Sequence, residues 1–96
     1  MTQFVFSPRA QSDLDEIWDY TTERWSEQQA ERYVRSLWQA IELLAEDPRR
    51  ARACDEIRPG YRKHLVGVHV LFIRESEGGM SVVRILHQRM DFERHF

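Results

Sequence analysis

Seven basic side chains on or beside strand-like runs are the residues best suited to chemistry: Arg62, Lys63, His64, Arg74, Arg84, His87 and Arg89. Arginine can hold a phosphate and neutralise charge that develops in a transition state, and histidine can move a proton. Together these groups would suit RNA cleavage by attack of the 2′-hydroxyl. Arginine and aromatic residues on an open strand and tail also suit the hot spot of a protein interface. A third interpretation is purely structural, with Arg84 paired to a helix carboxylate and His87 hydrogen-bonded in the sheet.

Other kinds of site have little support in the sequence. The four histidines and the single cysteine, Cys54, show none of the HxH, CxxC or HExxH spacings that metal sites use. Gly78-Gly79 fits a hairpin turn better than a phosphate-binding loop, and no Ser-His-Asp motif is present. We therefore expect no metal and no cofactor. One cysteine excludes an internal disulfide and suits a reducing cytoplasm.

Two amphipathic helices are predicted in the first half of the chain. Ser7-Pro8 combines an N-cap with proline at the first helical position, and apolar residues then recur on one helical face as far as Trp25. Ser26 caps the second helix and forms a capping box with Gln29; Asp47-Pro48 ends that helix. Because almost no residues separate the two helices, they must form an antiparallel hairpin.

Four strands are predicted around this hairpin. The first is short and covers residues 3–7; the other three cover 61–66, 69–75 and 80–87, with glycine-containing links that suit β-hairpins. The segment 49–60 is expected to be an irregular connector. The order β-α-α-β-β-β predicts an α+β fold with the helical hairpin on one face of an antiparallel sheet. We expect the other face to be partly open.

Length and charge limit the function further. A chain of 96 residues forms one domain, residues 1–96. We expect no signal peptide and, with no run long enough to span a membrane, a cytoplasmic protein. Residues 1–48 carry four basic and ten acidic side chains, a net −6, whereas residues 49–96 carry ten basic and six acidic, a net +4. This asymmetry favours a bipolar surface with a charged partner.

Several stretches resemble one family of bacterial proteins, the ParE toxins of the ParE/RelE toxin–antitoxin superfamily. The matching stretches cover most of the chain in order: FSPRAQSDLDEIWDY (6–20), AERYV (30–34), IRPGYRKHLVGVHVLFIR (57–74) and VVRILHQRMDFERHF (82–96). The motif RILHQRMD, preceded by PGYR, is the most specific part.

The resemblance implies a small toxin that poisons DNA gyrase and is not an enzyme. It also implies a ParD-like antitoxin, whose disordered C-terminal part folds onto the toxin as a helix against the helical hairpin, with the option of strand addition to the sheet. No direct sequence-specific nucleic-acid binding by the toxin is expected.

Two alternatives stay open at this stage. RelE-type relatives are ribosome-dependent mRNA endonucleases, and here Arg62, His87 and Arg89 would be the catalytic candidates. The pI near 6.1 and the single lysine argue against that alternative, because such nucleases tend to be strongly basic. The second alternative is a non-toxic module that binds the antitoxin and acts only in operon autoregulation.

Two sets of residues are predicted to bind partners. The target-binding set lies on the last strand and tail: Arg84, His87, Arg89, Met90 and Phe92. The antitoxin-binding set lies on the helices: Trp18, Tyr33, Trp38 and Leu43. Since no core-forming pattern follows His87, we expect deletion of residues 90–96 to abolish toxicity while antitoxin binding is retained.

Overall fold

The computed structural model describes residues 3–96 as two helices packed on one face of a five-stranded sheet. The helices are α1 (Pro8–Arg24) and α2 (Glu27–Glu46). The strands are β1 (Phe4–Phe6), β2 (Arg52–Ala53), β3 (Tyr61–Val66), β4 (His69–Ser76) and β5 (Gly79–His87), and single 3₁₀ turns occur at Pro48–Arg50 and Phe92–His95. The predicted α+β class, with its helical hairpin on one face of the sheet, is confirmed.

Local sequence explains where both helices begin. The Ser7 hydroxyl accepts a hydrogen bond from the Ala10 amide at 3.0 Å, and Ser26 caps the Gln29 amide in the same way at 3.0 Å. Only the serine half of the predicted capping box forms, because the Gln29 side-chain oxygen accepts a bond from Arg32 instead.

The sheet differs from the prediction in two respects. Its order is β1-β5-β4-β3-β2, and β1 runs parallel to β5, so the sheet is mixed rather than antiparallel. The connector predicted to be irregular contains β2, which pairs with Arg62 and Lys63 of β3. A two-residue strand at a sheet edge has too short a pattern to be recognised from sequence.

A β-bulge in β5 determines how α1 meets the sheet. The register with β4 shifts between Phe72 and Ile73, which leaves Val83 as an extra residue. Strand β1 pairs with β5 only as far as Val82, and beyond that point α1 lies along the strand edge. There the hydroxyl of Ser7, the N-cap of α1, donates to the Val83 carbonyl at 2.6 Å, and Asp13 of α1 accepts the Ile85 amide at 2.9 Å, so side chains replace a neighbouring strand.

Both faces of the sheet bury apolar side chains. The core under the helices contains Leu14, Ile17, Leu37, Ile41, Leu71, Ile73, Val82 and Ile85 among others. A second cluster on the opposite face contains Cys54, Val70, Phe72 and Leu86, with Phe92 and Phe96 packed against it. The tail covers the middle of this face, but Leu65, which pairs with Val70, is 56% exposed, so the face is partly open as expected.

The C-terminal tail, residues 90–96, contradicts the premise that no core-forming residues follow His87. The rings of Phe92 and Phe96 both meet Phe72 edge-on, with centroids 4.9 Å apart in each pair. The four-residue 3₁₀ turn that links these rings is too short to show a hydrophobic period, so the sequence did not indicate that they are packed.

Candidate functional site

A groove of about 870 Å³ runs between α1 and the end of β5. The buried residue Ile17 lines it, and so do the exposed residues Tyr20, Trp25 and Met90. Trp25 is 73% exposed although it lies on the apolar stripe of α1. The helical period predicted that Trp25 is buried. Because α1 ends at Arg24, Trp25 lies just beyond the helix, and its ring is not packed in the core.

Four residues of the predicted target-binding set line this groove, and three of them form one turn. His87 ends β5, and Arg89 and Met90 follow it in an exposed turn. The turn is ordered by two bonds to His87: its carbonyl accepts from the Met90 amide at 2.9 Å, and its Nδ1 accepts from the Arg89 amide at 3.1 Å. With Nδ1 as the acceptor, the proton of the neutral ring lies on Nε2.

Arg84, the fourth of these residues, lines the groove, but each of its three guanidinium nitrogens already donates a hydrogen bond within the chain. It forms a bidentate ion pair with Asp13 of α1, with Nε–Oδ2 and Nη2–Oδ1 distances of 2.8 Å, and its third nitrogen donates to the His95 carbonyl at 3.0 Å. The two side chains are only 13% and 9% exposed. The hydrogen bonds that Arg84 donates to Asp13 raise the pKa of Arg84 above its ordinary value. The geometry matches the structural interpretation of Arg84.

Asp13 is a functional candidate that the sequence did not reveal. It is the one buried charged side chain among residues 3–96, and besides Arg84 it accepts the Ile85 amide at 2.9 Å. An aspartate on an acidic helix gives no signal that it will pair with an arginine 71 positions away.

Phe92, the last of the target-binding set, packs on Phe72 in the second cluster rather than projecting toward solvent. Its ring is therefore a structural contact in this conformation. The prediction that it binds a target is untested, and the same is true of the other four residues.

The predicted antitoxin-binding residues separate into two groups. Leu43 is 53% exposed and Trp18 is 38% exposed, so both are accessible to a partner. Trp38 instead packs against Phe4 and Phe6 with ring centroids 5.7 and 5.2 Å apart, and Tyr33 is half-buried.

Tyr33 joins α2 to the turn between β3 and β4. Its hydroxyl lies 2.6 Å from Nδ1 of His69 and accepts the Val68 amide at 3.2 Å. Gly67, with φ +59°, leaves room for the ring, since a Cβ there would lie 2.7 Å from it. Burial raises the pKa of Tyr33.

His69 itself was not singled out from sequence. Burial lowers its pKa to about 4, with a smaller contribution from the neighbouring His87, whose ring centroid is 5.6 Å away. The neutral ring can therefore accept a hydrogen bond from the Tyr33 hydroxyl.

The set proposed for RNA cleavage is not assembled. Arg62 pairs in register with Ile73, whereas His87 pairs with His69, four residues further back along β4. With a rise of about 3.3 Å per residue and strands about 4.8 Å apart, the two backbones are roughly 16 Å apart. Arg62 donates to the Ala51 carbonyl and does not line the groove.

Residues 3–96 contain no group of three or more His, Cys, Asp or Glu side chains that could hold a metal ion. Within the same residues, neither helix is long and apolar enough to cross a membrane.

Comparison with known proteins assigns the chain to a class. The family model described as "ParE toxin of type II toxin-antitoxin system, parDE" matches residues 4–92. Toxin ParE1 of Mycobacterium tuberculosis (strains CDC 1551 / Oshkosh and H37Rv) is 55% identical over 95 residues, which is 98% of this chain and 97% of the relative. Toxin ParE1 of Caulobacter vibrioides is 39% identical over 95 residues, with 99% and 98% covered.

The fold agrees with this class. A chain of the solved "Chromosomal ParDE TA system from P. aeruginosa" superposes with a TM-score of 0.78 over 91% of this chain and 96% of that one, at 18% identity. Fold and sequence together define the toxin component of a type II toxin–antitoxin system. Within that class, the chain belongs to the ParE toxin family.

Proposed function

We propose that this chain acts in the cytoplasm by binding and trapping DNA gyrase, without catalysing a reaction, and that a ParD-like antitoxin neutralises it. Family membership supports the toxin role. The main support for the target-binding surface is that His87, Arg89 and Met90 lie together in one ordered turn at the groove.

The chemistry of this turn suits a protein target. Arg89 is exposed, and Met90 is 44% exposed beside the aromatic rim of Tyr20 and Trp25. A cation beside adaptable and aromatic apolar side chains is typical of interface hot spots. The turn is pinned to β5, so little entropy is lost when it binds.

For the antitoxin, the accessible members of the predicted set support contact with the helical hairpin. Leu43 and Trp18 offer exposed apolar surface on α2 and α1, respectively. A helix folding onto this hairpin would bury both side chains. Tyr33 and Trp38 would contribute mainly by holding the hairpin on the sheet.

The nuclease alternative is weaker because Arg62 lies apart from His87 and Arg89. Arg62 faces the β2 edge, so a phosphate held between Arg89 and His87 would lack the third group of the proposed set. The inert-module alternative assigns no function to this turn, and a measurement of toxicity distinguishes it from the gyrase proposal.

The test is growth inhibition upon induced expression, combined with measurement of chromosomal breaks and of mRNA cleavage in the same cells. The gyrase proposal predicts DNA breaks, intact mRNA and rescue by the antitoxin. Arg89→Glu should abolish toxicity, whereas the control Arg94→Glu, at an exposed residue outside the groove, should leave it intact. Cleaved mRNA without DNA breaks would support the nuclease alternative, and the absence of toxicity would support the inert module.

A further inference from the structure

Residues 87–95 form a loop that is fixed at both ends. At its start, the Gln88 amide donates to the Val68 carbonyl at 2.8 Å, which ties the loop to the turn between β3 and β4. At its end, the His95 carbonyl accepts from Arg84 at 3.0 Å. The crest of this loop carries Arg89 and Met90, the exposed part of the proposed target-binding surface.

Among the contacts that hold the tail, the hydrogen bond from Arg84 to the His95 carbonyl is the one that depends on direction. Phe92 and Phe96 hold the tail by ring contacts with Phe72, and such contacts fix position but tolerate sliding and rotation. The bond from Arg84 fixes one backbone atom of the tail relative to β5. Its geometry in turn depends on Asp13, because the bidentate pair holds the plane of the guanidinium.

The pair therefore connects three elements through one carboxylate. Asp13 on α1 binds the β5 backbone at Ile85 and the β5 side chain of Arg84, and Arg84 binds the tail. With side chains only 13% and 9% exposed, and with their polar groups bound to each other, the two residues offer little charged surface for direct contact with a partner. Any effect of this pair on target binding must act through the loop.

We propose that Asp13 and Arg84 are positioning residues, which hold the C-terminal tail on the second face of the sheet and so present Arg89 and Met90 to the toxin's target. This inference rests on the proposed toxin function, but the tail anchoring can be measured without any target. It also gives Arg84 a different role from the direct contact that the sequence suggested.

The anchoring is tested by limited trypsin digestion followed by mass spectrometry, because cleavage after Arg89 releases residues 90–96. Asp13→Asn removes the bidentate pair and should accelerate this cleavage about tenfold or more, the effect of losing a charge-assisted bond. Asp15→Asn makes the same charge change on the exposed face of α1 and should leave the rate unchanged.

A second variant excludes simple misfolding, since a buried arginine without its partner strains the core. In the double variant Asp13→Asn, Arg84→Met, the asparagine oxygen can still accept the Ile85 amide, and methionine fills the space left by arginine. This protein should keep its cooperative unfolding and its affinity for the antitoxin, while the tail is released and growth inhibition falls at least about tenfold.

The outcomes separate the positioning role from the proposed function. Unchanged tail cleavage in both variants overturns the positioning role, as does a released tail with full growth inhibition. A matched loss of antitoxin affinity and toxicity would mean that the pair only supports the fold. An inactive wild-type chain would overturn the proposed toxin function, and tail cleavage alone would then decide whether the pair anchors the tail.

Discussion

The half-buried His69 makes the stability of this domain depend on pH. Burial, and secondarily the charge of His87, lowers its pKa to about 4, whereas a histidine in the unfolded chain has a pKa of about 6.5. At mildly acidic pH the unfolded chain therefore binds a proton that the folded chain does not. The stability contribution is fully present above pH ~6.5 and is lost as the pH falls toward 4.

The size of the effect follows from these two pKa values. Between pH 7 and pH 5 the linkage relation gives a loss of about 1.8 kcal/mol in the free energy of unfolding. Because the ring is only half-buried, solvent screens part of this difference, and about 1 kcal/mol is the working value. The loss reflects the cost of holding a charged imidazolium at a half-buried site beside His87.

Urea unfolding at pH 7 and pH 5 measures this loss. Other groups titrate over the same range, so the wild type is compared with His69→Asn, whose side-chain oxygen can still accept the Tyr33 proton. The wild type should lose about 1 kcal/mol more than the variant between the two pH values. Equal losses would refute the reasoning.

A third protein separates the two causes of the shift. Burial is the larger cause and the charge of His87 the smaller, so His87→Gln should retain most of the extra pH dependence. If His87→Gln abolishes that dependence, repulsion between the two histidines, and not burial, controls the stability.

Other substitutions give sharp expectations. Phe72→Ala removes the buried ring on which the tail packs and should lower the free energy of unfolding by about 3–5 kcal/mol in urea titrations; a loss below about 1 kcal/mol would contradict the second cluster. Gly67→Ala adds a methyl group against the Tyr33 ring at positive φ and should cost about 1–3 kcal/mol, whereas an unchanged melting temperature would mean that the turn relaxes freely. Leu43→Ala should raise the antitoxin Kd about fivefold with unchanged stability, and an unchanged Kd would place the interface elsewhere. Deletion of residues 90–96 should abolish toxicity but also lower stability, because two rings leave the second cluster; unfolding at the wild-type midpoint would contradict this.

Elements with local signals were predicted well from sequence. Ser7-Pro8 and Ser26 mark helix starts by side-chain capping, and the glycines at 67 and 78 mark the two hairpin turns by allowing positive φ. These signals depend only on neighbours in the chain. For the same reason the three long strands were placed to within one residue at each end.

Features that depend on distant residues were missed. The parallel pairing of β1 with β5 joins residues at opposite ends of the chain, and nothing in a three-residue strand specifies its direction. The ion pair of Asp13 with Arg84 is equally non-local. The two residues meet because α1 lies beside β5 beyond the bulge, where pairing with β1 has ended.

Of the candidate site, the sequence indicated a segment that does lie at the groove, but not the contacts that each residue makes there. His87, Arg89 and Met90 do lie together, because a strand end and the turn after it keep neighbours close. The exposure of Trp25 and the packing of Phe92 could not be foreseen, since each depends on what covers that part of the sheet.

The most direct test of the central claim is a DNA gyrase assay with the purified chain, ATP and supercoiled plasmid. If the chain traps gyrase, linear DNA should accumulate from trapped cleavage complexes, and added antitoxin should reverse this. Arg89→Glu should produce no linear DNA, whereas Arg94→Glu should produce as much as the wild type. Plasmid that stays free of linear product at micromolar toxin, with gyrase supercoiling normally, would contradict the claim that the chain traps gyrase.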